Sequence, residues 1–369
     1  MTAPDGRLQG EYTFLPQERV IFGVGSLARL RDEVARIGAV RALIITGNTL
    51  ATQTDVIASV AQALGALHAG TFTDIRQHAP GSGVALAVEA ARSLDADVLI
   101  SVGGGSPIDA AKAVAMELAR ERGVFMPQIA LPTTLSAAEF SHLVGVTDEQ
   151  RHAKIGFADP HVAPRIAILD AGLTLATPMR LWLSSGIRAL DHAVETLYAP
   201  GVHPINDVLA LEAIRRLFAW LPRSMDGPDD LDARTELQIA SWMSFFGETN
   251  TPMGLSHNLG RRIGATYNVP HGITSCITLP HVIRHLAPRH TAALAGIARA
   301  LDLGEAVPND MDTALLAADA VSDLIGRLEL PRRLSEVGIT QDNLRDIAVA
   351  TVGDGPETIE VEDLLRKML

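Results

Sequence analysis

Residues 98–112 read VLISVGGGSPIDAAK, and this stretch decides the fold. Val98–Val102 is a short apolar run with the length and β-branched content of a buried strand. Gly103, Gly104 and Gly105 end it. Ser106–Arg120 then has helical spacing, with Ile108, Ala111, Ala115 and Leu118 on one face. Three residues without Cβ let a backbone approach a ligand closely and take positive φ. Their amides and the N-terminus of the next helix offer donors to an anion, helped by the helix dipole. Ser106 reads as the N-cap and Pro107 as the first helical residue. Asp109 in the first turn suits the dipole but not a phosphate, so if a nucleotide binds, Asp109 makes a polar contact beyond the phosphate; the alternative is a tight turn with no ligand. The spacing is that of neither a P-loop nor a GxGxxG turn.

The same alternation continues on both sides. Ala42–Thr46 (ALIIT) is a strand run, Gly47-Asn48 a turn, and Val56, Ile57, Val60 and Leu64 mark a helix. Ile129–Leu131 and Ile166–Leu169 are further strand runs. Thr133 and Thr134 follow the first of these; two hydroxyls at a strand's C-terminal edge suit ribose or phosphate, though on their own these residues read first as an ordinary Pro-Thr turn. Strand–turn–helix repetition predicts parallel strands joined by helical crossovers. Beyond about Leu175 the β-branched runs stop. Leu183–Tyr198, Pro204–Ala219, Asp232–Phe246, Ile277–Leu286, His290–Ala300, Asp312–Leu328 and Gln341–Thr351 all have helical spacing. The expectation is an α/β domain over residues 1–172 and an all-α domain over 173–369. Catalytic chemistry is expected in the cleft between them.

Composition excludes other classes. With 47% hydrophobic and 20% charged residues, the chain is globular rather than disordered or a small disulfide scaffold. Thirty-one Lys and Arg against 43 Asp and Glu give a net charge of −12, which argues against nucleic acid or an anionic membrane as the main partner. Cys276 is the one cysteine, so no intramolecular disulfide or multi-cysteine metal site can form. Its place in the apolar run Ile273–Leu279 predicts an inert, buried thiol. The start, MTAPDGRLQGEY, lacks the apolar core of a signal peptide, and no apolar stretch reaches the ~20 residues of a membrane helix. These features predict a soluble cytoplasmic protein acting on a small molecule.

Three of the 12 histidines fall in patterned segments. His192 follows Gly186-Ile187-Arg188-Ala189-Leu190-Asp191, His257 ends Gly254-Leu255-Ser256-His257, and His271 lies in Asn268-Val269-Pro270-His271-Gly272. The intervening segment, NLGRRIGATYNVP, carries a helix into a loop, so His257 and His271 can converge. Three imidazoles can hold a divalent metal with a carboxylate or water. The position one turn before His192, on the same helix face, carries Arg188 rather than an acid. A guanidinium about 4 Å from a dication costs roughly 8 kcal/mol at an effective dielectric of 20. Asp191 projects about 100° away around the helix and is placed to pair with Arg188 at i,i+3. The residues alone leave two readings open, a metal site short of a ligand and a metal-free polar site.

With these motifs in view, the chain from about Phe14 to Leu369 resembles the iron-containing alcohol dehydrogenase superfamily, which includes glycerol dehydrogenase and dehydroquinate synthase. The resemblance rests on Gly103–Lys112, Leu131-Pro132-Thr133-Thr134, Gly186…His192-Ala193-Val194-Glu195, Gly254–His257 and Asn268–Gly272, in that order. Gln77-His78-Ala79-Pro80, Leu183–Gly186 and Asn268–His271 bring it closest to the maleylacetate reductase branch. The resemblance implies an N-terminal dinucleotide-binding α/β domain and a helical catalytic domain, with NADH or NADPH lying over Gly103, Gly104 and Gly105 and touching Thr133 and Thr134; Gly47, Asn48, Ser106, Asp109 and Lys154 are expected beside them at the cofactor. It also implies a homodimer in which the extended segment Tyr12–Ile21 pairs across subunits. Metal-dependent members carry Asp where Arg188 stands, and maleylacetate reductases lack that Asp too. NAD-selective members often carry an acid where Gly47 stands, so its absence predicts tolerance of NADPH.

The expected activity is therefore reduction of a carbonyl or oxo-acid substrate of the maleylacetate type, without a metal. His192, His257, His271 and Arg188 are the expected catalytic residues. His257 or His271 gives the proton, and Arg188 clamps a substrate carboxylate. The competing expectation is an Fe- or Zn-dependent alcohol dehydrogenase or aldehyde reductase, with His192, His257 and His271 on the metal. A dehydroquinate synthase-like lyase would need a Lys/Arg phosphate cluster, for which Lys154, Arg261 and Arg262 are the nearest candidates. A cofactor-binding protein with a dead site is the non-enzymatic alternative.

Overall fold

The structure is a computed structural model that describes residues 11–149, 153–200, 204–246, 251–303 and 309–369. It divides into two compact units. One comprises Phe14–Pro178 with Asp229–Gln238, and the other comprises residues 11–13, Met179–Pro228 and Ile239–Leu369.

The first unit is built on a sheet whose four inner strands are buried on both faces. β1 (Arg19–Phe22), β2 (Ala42–Ile45), β3 (His68–Phe72), β4 (Val98–Gly103), β5 (Gln128–Pro132) and β8 (Ile166–Leu169) form a six-stranded sheet in the order β1-β8-β5-β4-β2-β3. Every pairing in it is parallel. Side chains alternate across the sheet. Leu43, Ile45 and Leu99 enter one apolar cluster, and Ala42, Ile44, Val98, Ile100 and Val102 enter the other. The helices α1 (Leu30–Arg36), α2 (Asn48–Gln53), α3 (Val56–Leu64), α4 (Gly81–Ser93) and α5 (Gly105–Arg122) provide the crossovers. Such two-sided burial explains why the strands read as continuous apolar runs.

The strand order places the ligand crevice. From β2 the chain runs through α2 and α3 to β3 on one side, and from β4 through α5 to β5 on the other. The connections diverge between β2 and β4, and ligands of open α/β sheets bind beyond the strand ends at such a point. Gly47 follows the end of β2, and Gly103 ends β4 with Gly104 directly after it. Leu143–Asp148 and Ala153–Ala158, β6 and β7, form a separate antiparallel pair that the sequence pattern did not reveal. The short helix α6 (Ala171–Thr174) ends the unit's first segment, capped by the Asp170 carboxylate, which accepts from Gly172 N.

The second unit is helical. It holds α7 (Met179–Tyr198), α8 (Pro204–Asp226), α10 (Leu255–Tyr267), α11 (His271–Leu286), α12 (Thr291–Ala300), α13 (Asp310–Arg327), α14 (Leu344–Val352) and α15 (Pro356–Arg366). α9 (Leu231–Ser244) begins in the first unit and ends in the second. α7 packs on α8 through Gly186, where a Cβ would lie 2.3 Å from Leu221. Trp182 Nε1 donates to Ser224 Oγ at 3.2 Å in the same contact. Asn268, at φ +55°, turns the chain out of α10, and α11 starts at His271 rather than at the expected Ile277. Cys276 is buried on α11, its thiol donating to Gly272 O at 3.1 Å, and burial pushes its pKa up. Among the described residues no helix is long and apolar enough to cross a membrane.

Candidate active site

The crevice of the first unit is lined mainly by backbone. Gly103 takes φ +137°, which a side chain would strain, and its carbonyl accepts from Thr133 N at 2.9 Å. A Cβ on Gly104 would lie 3.1 Å from Thr134 Cγ2, filling the space between the two turns. A Cβ on Gly47 would lie 3.0 Å from Ile75 O. α5 starts at Gly105 with Gly104 as its N-cap, and no side chain caps it. Its first amides are thus left for an anion. Here the sequence expectation is corrected: Ser106 lies inside α5, not at the N-cap, and Pro107 is not its first residue. Ser106 Oγ is drawn away by His78, whose N–H donates to it at 3.0 Å.

The other residues expected at the cofactor are distributed around this turn. Asp109 accepts from the fully buried Lys112, whose Nζ also donates to Leu143 O at 2.9 Å. Thr133 and Thr134 are buried, and Thr134 Oγ1 donates to Ser136 Oγ at 3.3 Å. Asn48 is exposed at the start of α2. Lys154 falls in β7, and its side chain lies outside the described residues. Small residues, uncapped amides and a cavity that a Cβ would fill fit the pyrophosphate of a dinucleotide.

The second unit assembles a different kind of site. Arg188, Asp191, His192 and Glu195 lie at i, i+3, i+4 and i+7 on α7, and all four are buried. α10 brings His257 and Ser256, and α11 brings His271 and Ser275. Arg188 Nη1 donates to Asp191 Oδ2 at 3.2 Å and to Ser275 Oγ at 3.0 Å. Arg188 Nη2 meets His257, 2.6 Å from Nδ1 and in contact with Nε2. Asp191 Oδ2 also accepts from Ser256 Oγ at 3.1 Å and Ser275 Oγ at 2.6 Å. The His192 and His257 rings stack with centroids 5.5 Å apart, and His257 and His271 lie 6.4 Å apart. Phe245 covers His192 at 4.3 Å.

Glu195 anchors the start of α10. Its Oε2 accepts from Gly254 N at 2.8 Å and its Oε1 from His257 N at 3.1 Å, while Tyr198 OH donates to Oε1 at 3.3 Å. α10 has no side-chain cap from its own N-cap residue, so this carboxylate on α7 does that work. Glu195, Ser256, Ser275 and Phe245 were not among the residues expected at the site. The one available signal was the α7 stripe, whose fourth member is Glu195.

Burial sets the charges. It pushes Glu195 up to about 8, with the neighbouring Asp191 adding to the rise. Burial, then the Arg188 charge, holds His192 and His257 well below the usual imidazole range, so both are neutral at pH 7. A neutral His257 can accept from Arg188, and an imidazolium could not. Burial also lowers the Arg188 pKa, against the pull of Asp191.

The three imidazoles gather, but the site does not fit a metal ion. The Arg188 guanidinium lies against both nitrogens of His257. Asp191 Oδ2 is taken by Arg188 and two serines, and Oδ1 is buried with no hydrogen bond from a described residue. Among the described residues no group of three His, Cys, Asp or Glu side chains has the geometry to hold one. A dication here would face a buried positive charge at close range.

Comparison with known proteins covers both units. A sequence model described as iron-containing alcohol dehydrogenase matches residues 16–171, and one described as the C-terminal part of the Fe-containing alcohol dehydrogenase family matches residues 182–365. Maleylacetate reductase 2 of Cupriavidus pinatubonensis is 38% identical over 283 residues, 77% of this chain and 76% of its own length. Maleylacetate reductase of Burkholderia cepacia is 32% identical, covering 95% of this chain and 94% of that protein. The crystal structure of maleylacetate reductase from Agrobacterium tumefaciens superposes with a TM-score of 0.85 at 29% identity, covering 98% of each chain.

Proposed function

We infer the activity from one premise: the chain belongs to the iron-containing alcohol dehydrogenase family and is an oxidoreductase. The reading is a cytoplasmic, homodimeric NAD(P)H-dependent reductase of an oxo acid of the maleylacetate type, serving the breakdown of aromatic compounds and working without a resident metal.

The observation that carries the metal-free reading is the buried Arg188, fixed by Asp191, Ser275 and His257. When bound, the dinucleotide supplies a hydride. The chain has to offset the electron pair that this pushes onto the substrate's carbonyl oxygen, whether the hydride adds to the carbonyl carbon or to the β-carbon of a conjugated C=C. It also has to supply one proton. Arg188 is oriented before substrate arrives, so its charge needs no reorganisation as the oxyanion develops. Both Nη1 hydrogens and one Nη2 hydrogen are committed inside the fold, to Asp191, Ser275 and His257, leaving the Nε hydrogen and the second Nη2 hydrogen for a substrate group. His271 is the proton donor in this reading, because it is only half-buried and can exchange with water. His192 and His257 line the pocket as neutral groups. Gly47, Asn48, Gly103, Gly104, Gly105, Ser106, Asp109, Thr133, Thr134 and Lys154 serve the cofactor, with NADPH accepted beside NADH for want of an acid at position 47.

Maleylacetate-dependent oxidation of NADH and of NADPH, measured before and after prolonged chelation, tests this. Turnover on both cofactors that survives chelation, in protein without stoichiometric iron or zinc, is expected. Loss of turnover that ferrous or zinc salts restore would overturn the metal-free reading.

A further inference from the structure

Arg261 is a cation that this mechanism does not use. It lies on α10 one turn after His257, and His257, Gly260, Arg261 and Gly264 form one stripe at i, i+3, i+4 and i+7. The surroundings of that stripe are the site itself. His257 meets Arg188, a Cβ on Gly260 would lie 3.8 Å from Arg188 Nη1, and one on Gly264 would lie 3.8 Å from His271 Nδ1. Arg261 is half-buried, and its charge reaches both Arg188 and His257.

The neighbouring charges are matched. Asp191 balances Arg188, and Glu195 carries little charge at pH 7 because burial raises it to about 8. Arg261 is not matched: among the described residues no carboxylate pairs with it and no acceptor takes a hydrogen bond from its guanidinium. Burial, and then the adjacent Arg262, push its pKa down. A partly desolvated, unpaired guanidinium is relieved by an anion, and its planar fork matches a carboxylate in two parallel hydrogen bonds.

We propose that Arg261 is the receptor for a substrate carboxylate, the residue by which this site selects an oxo acid over a neutral aldehyde. The proposal rests on the reductase reading above and gives the carboxylate a partner other than Arg188, whose Nη1 hydrogens are committed within the fold. Arg261 is a specificity determinant and leaves the oxyanion to Arg188.

The test compares kcat/KM for maleylacetate with that for propanal in the wild type, Arg261→Gln and Arg261→Lys. Calorimetric binding of succinate, a dicarboxylate with no carbonyl to reduce, is measured in parallel. Arg261→Gln should lower the oxo-acid-to-aldehyde ratio about 30-fold, through KM more than kcat, and weaken succinate by a similar factor. Arg261→Lys should recover part of both, since it restores charge without the fork. An unchanged ratio in Arg261→Gln, with succinate binding also unchanged, would overturn the proposal. A wild type that reduces no oxo acid yet loses succinate in Arg261→Gln would overturn the reductase reading while the anion receptor stands.

Discussion

The crevice of the sheet unit and the histidine cluster of the helical unit are built from opposite materials. The first uses glycines, threonines and uncapped amides, and holds no ion pair beyond Lys112–Asp109 among its described expected residues. The second buries Arg188, Asp191, His192, Glu195 and His257 within hydrogen-bonding and stacking distance of one another. A backbone site is shaped by what is absent, and a charged site by what balances. The first therefore tolerates changes that keep space open, and the second tolerates only changes that keep charge matched.

The largest effect should come from unmatching the second site. Asp191→Ala leaves the Arg188 guanidinium buried without its carboxylate and should destabilise the protein by about 3–5 kcal/mol in urea denaturation. Replacing both, as Arg188→Met with Asp191→Leu, should restore most of that stability. If the single variant melts like the wild type, the helical unit does not depend on this pair and the contrast fails.

A smaller effect should follow from closing the crevice. Gly104→Val puts methyl groups against Thr134, where the Cβ alone would already lie 3.1 Å away. Overpacking of about 1–3 kcal/mol corresponds to roughly a 5- to 150-fold rise in the Kd for NADH, read by fluorescence titration. Unchanged NADH affinity would place the dinucleotide elsewhere.

The smallest effect separates the units by pH. Glu139 in the sheet unit is raised by burial to about 7, and Glu195 in the helical unit to about 8. Each folded carboxyl keeps its proton where the unfolded chain, titrating near the usual 4.5, has lost it. Stability therefore falls as pH rises from 4.5, levelling near 7 for Glu139 and near 8 for Glu195. The slope is at most about 1.4 kcal/mol per pH unit for each. Glu195→Gln should remove the fall between 7 and 8, whereas Glu139→Gln should leave that part intact, as urea midpoints across pH will show.

Much of the sheet unit was legible in sequence. Ile166–Leu169 is β8 to the residue, and Val98–Val102 lengthens by only Gly103, because strands buried on both faces are short apolar runs with sharp ends. β6 and β7 escaped because their residues form only one narrow ribbon without such a run. Ser106 misled because a favourable local cap was outcompeted by the His78 amide, 28 residues earlier in the chain. At the charged site, the Arg188–Asp191 pair followed from helical spacing. Ser256 and Ser275 did not, since nothing local to them records that α10 and α11 will present hydroxyls to an acid on α7. The roles of Glu195 and Arg261 depend equally on how three helices pack, which spacing along one helix does not encode.

The sealed position of Cys276 on α11 has a practical side. Its sulfur is buried and its thiolate disfavoured, so maleimides and mild oxidants should find nothing to attack on the native protein. A cysteine introduced anywhere on the surface would then be the sole reactive one, ready to carry a spin probe or a dye.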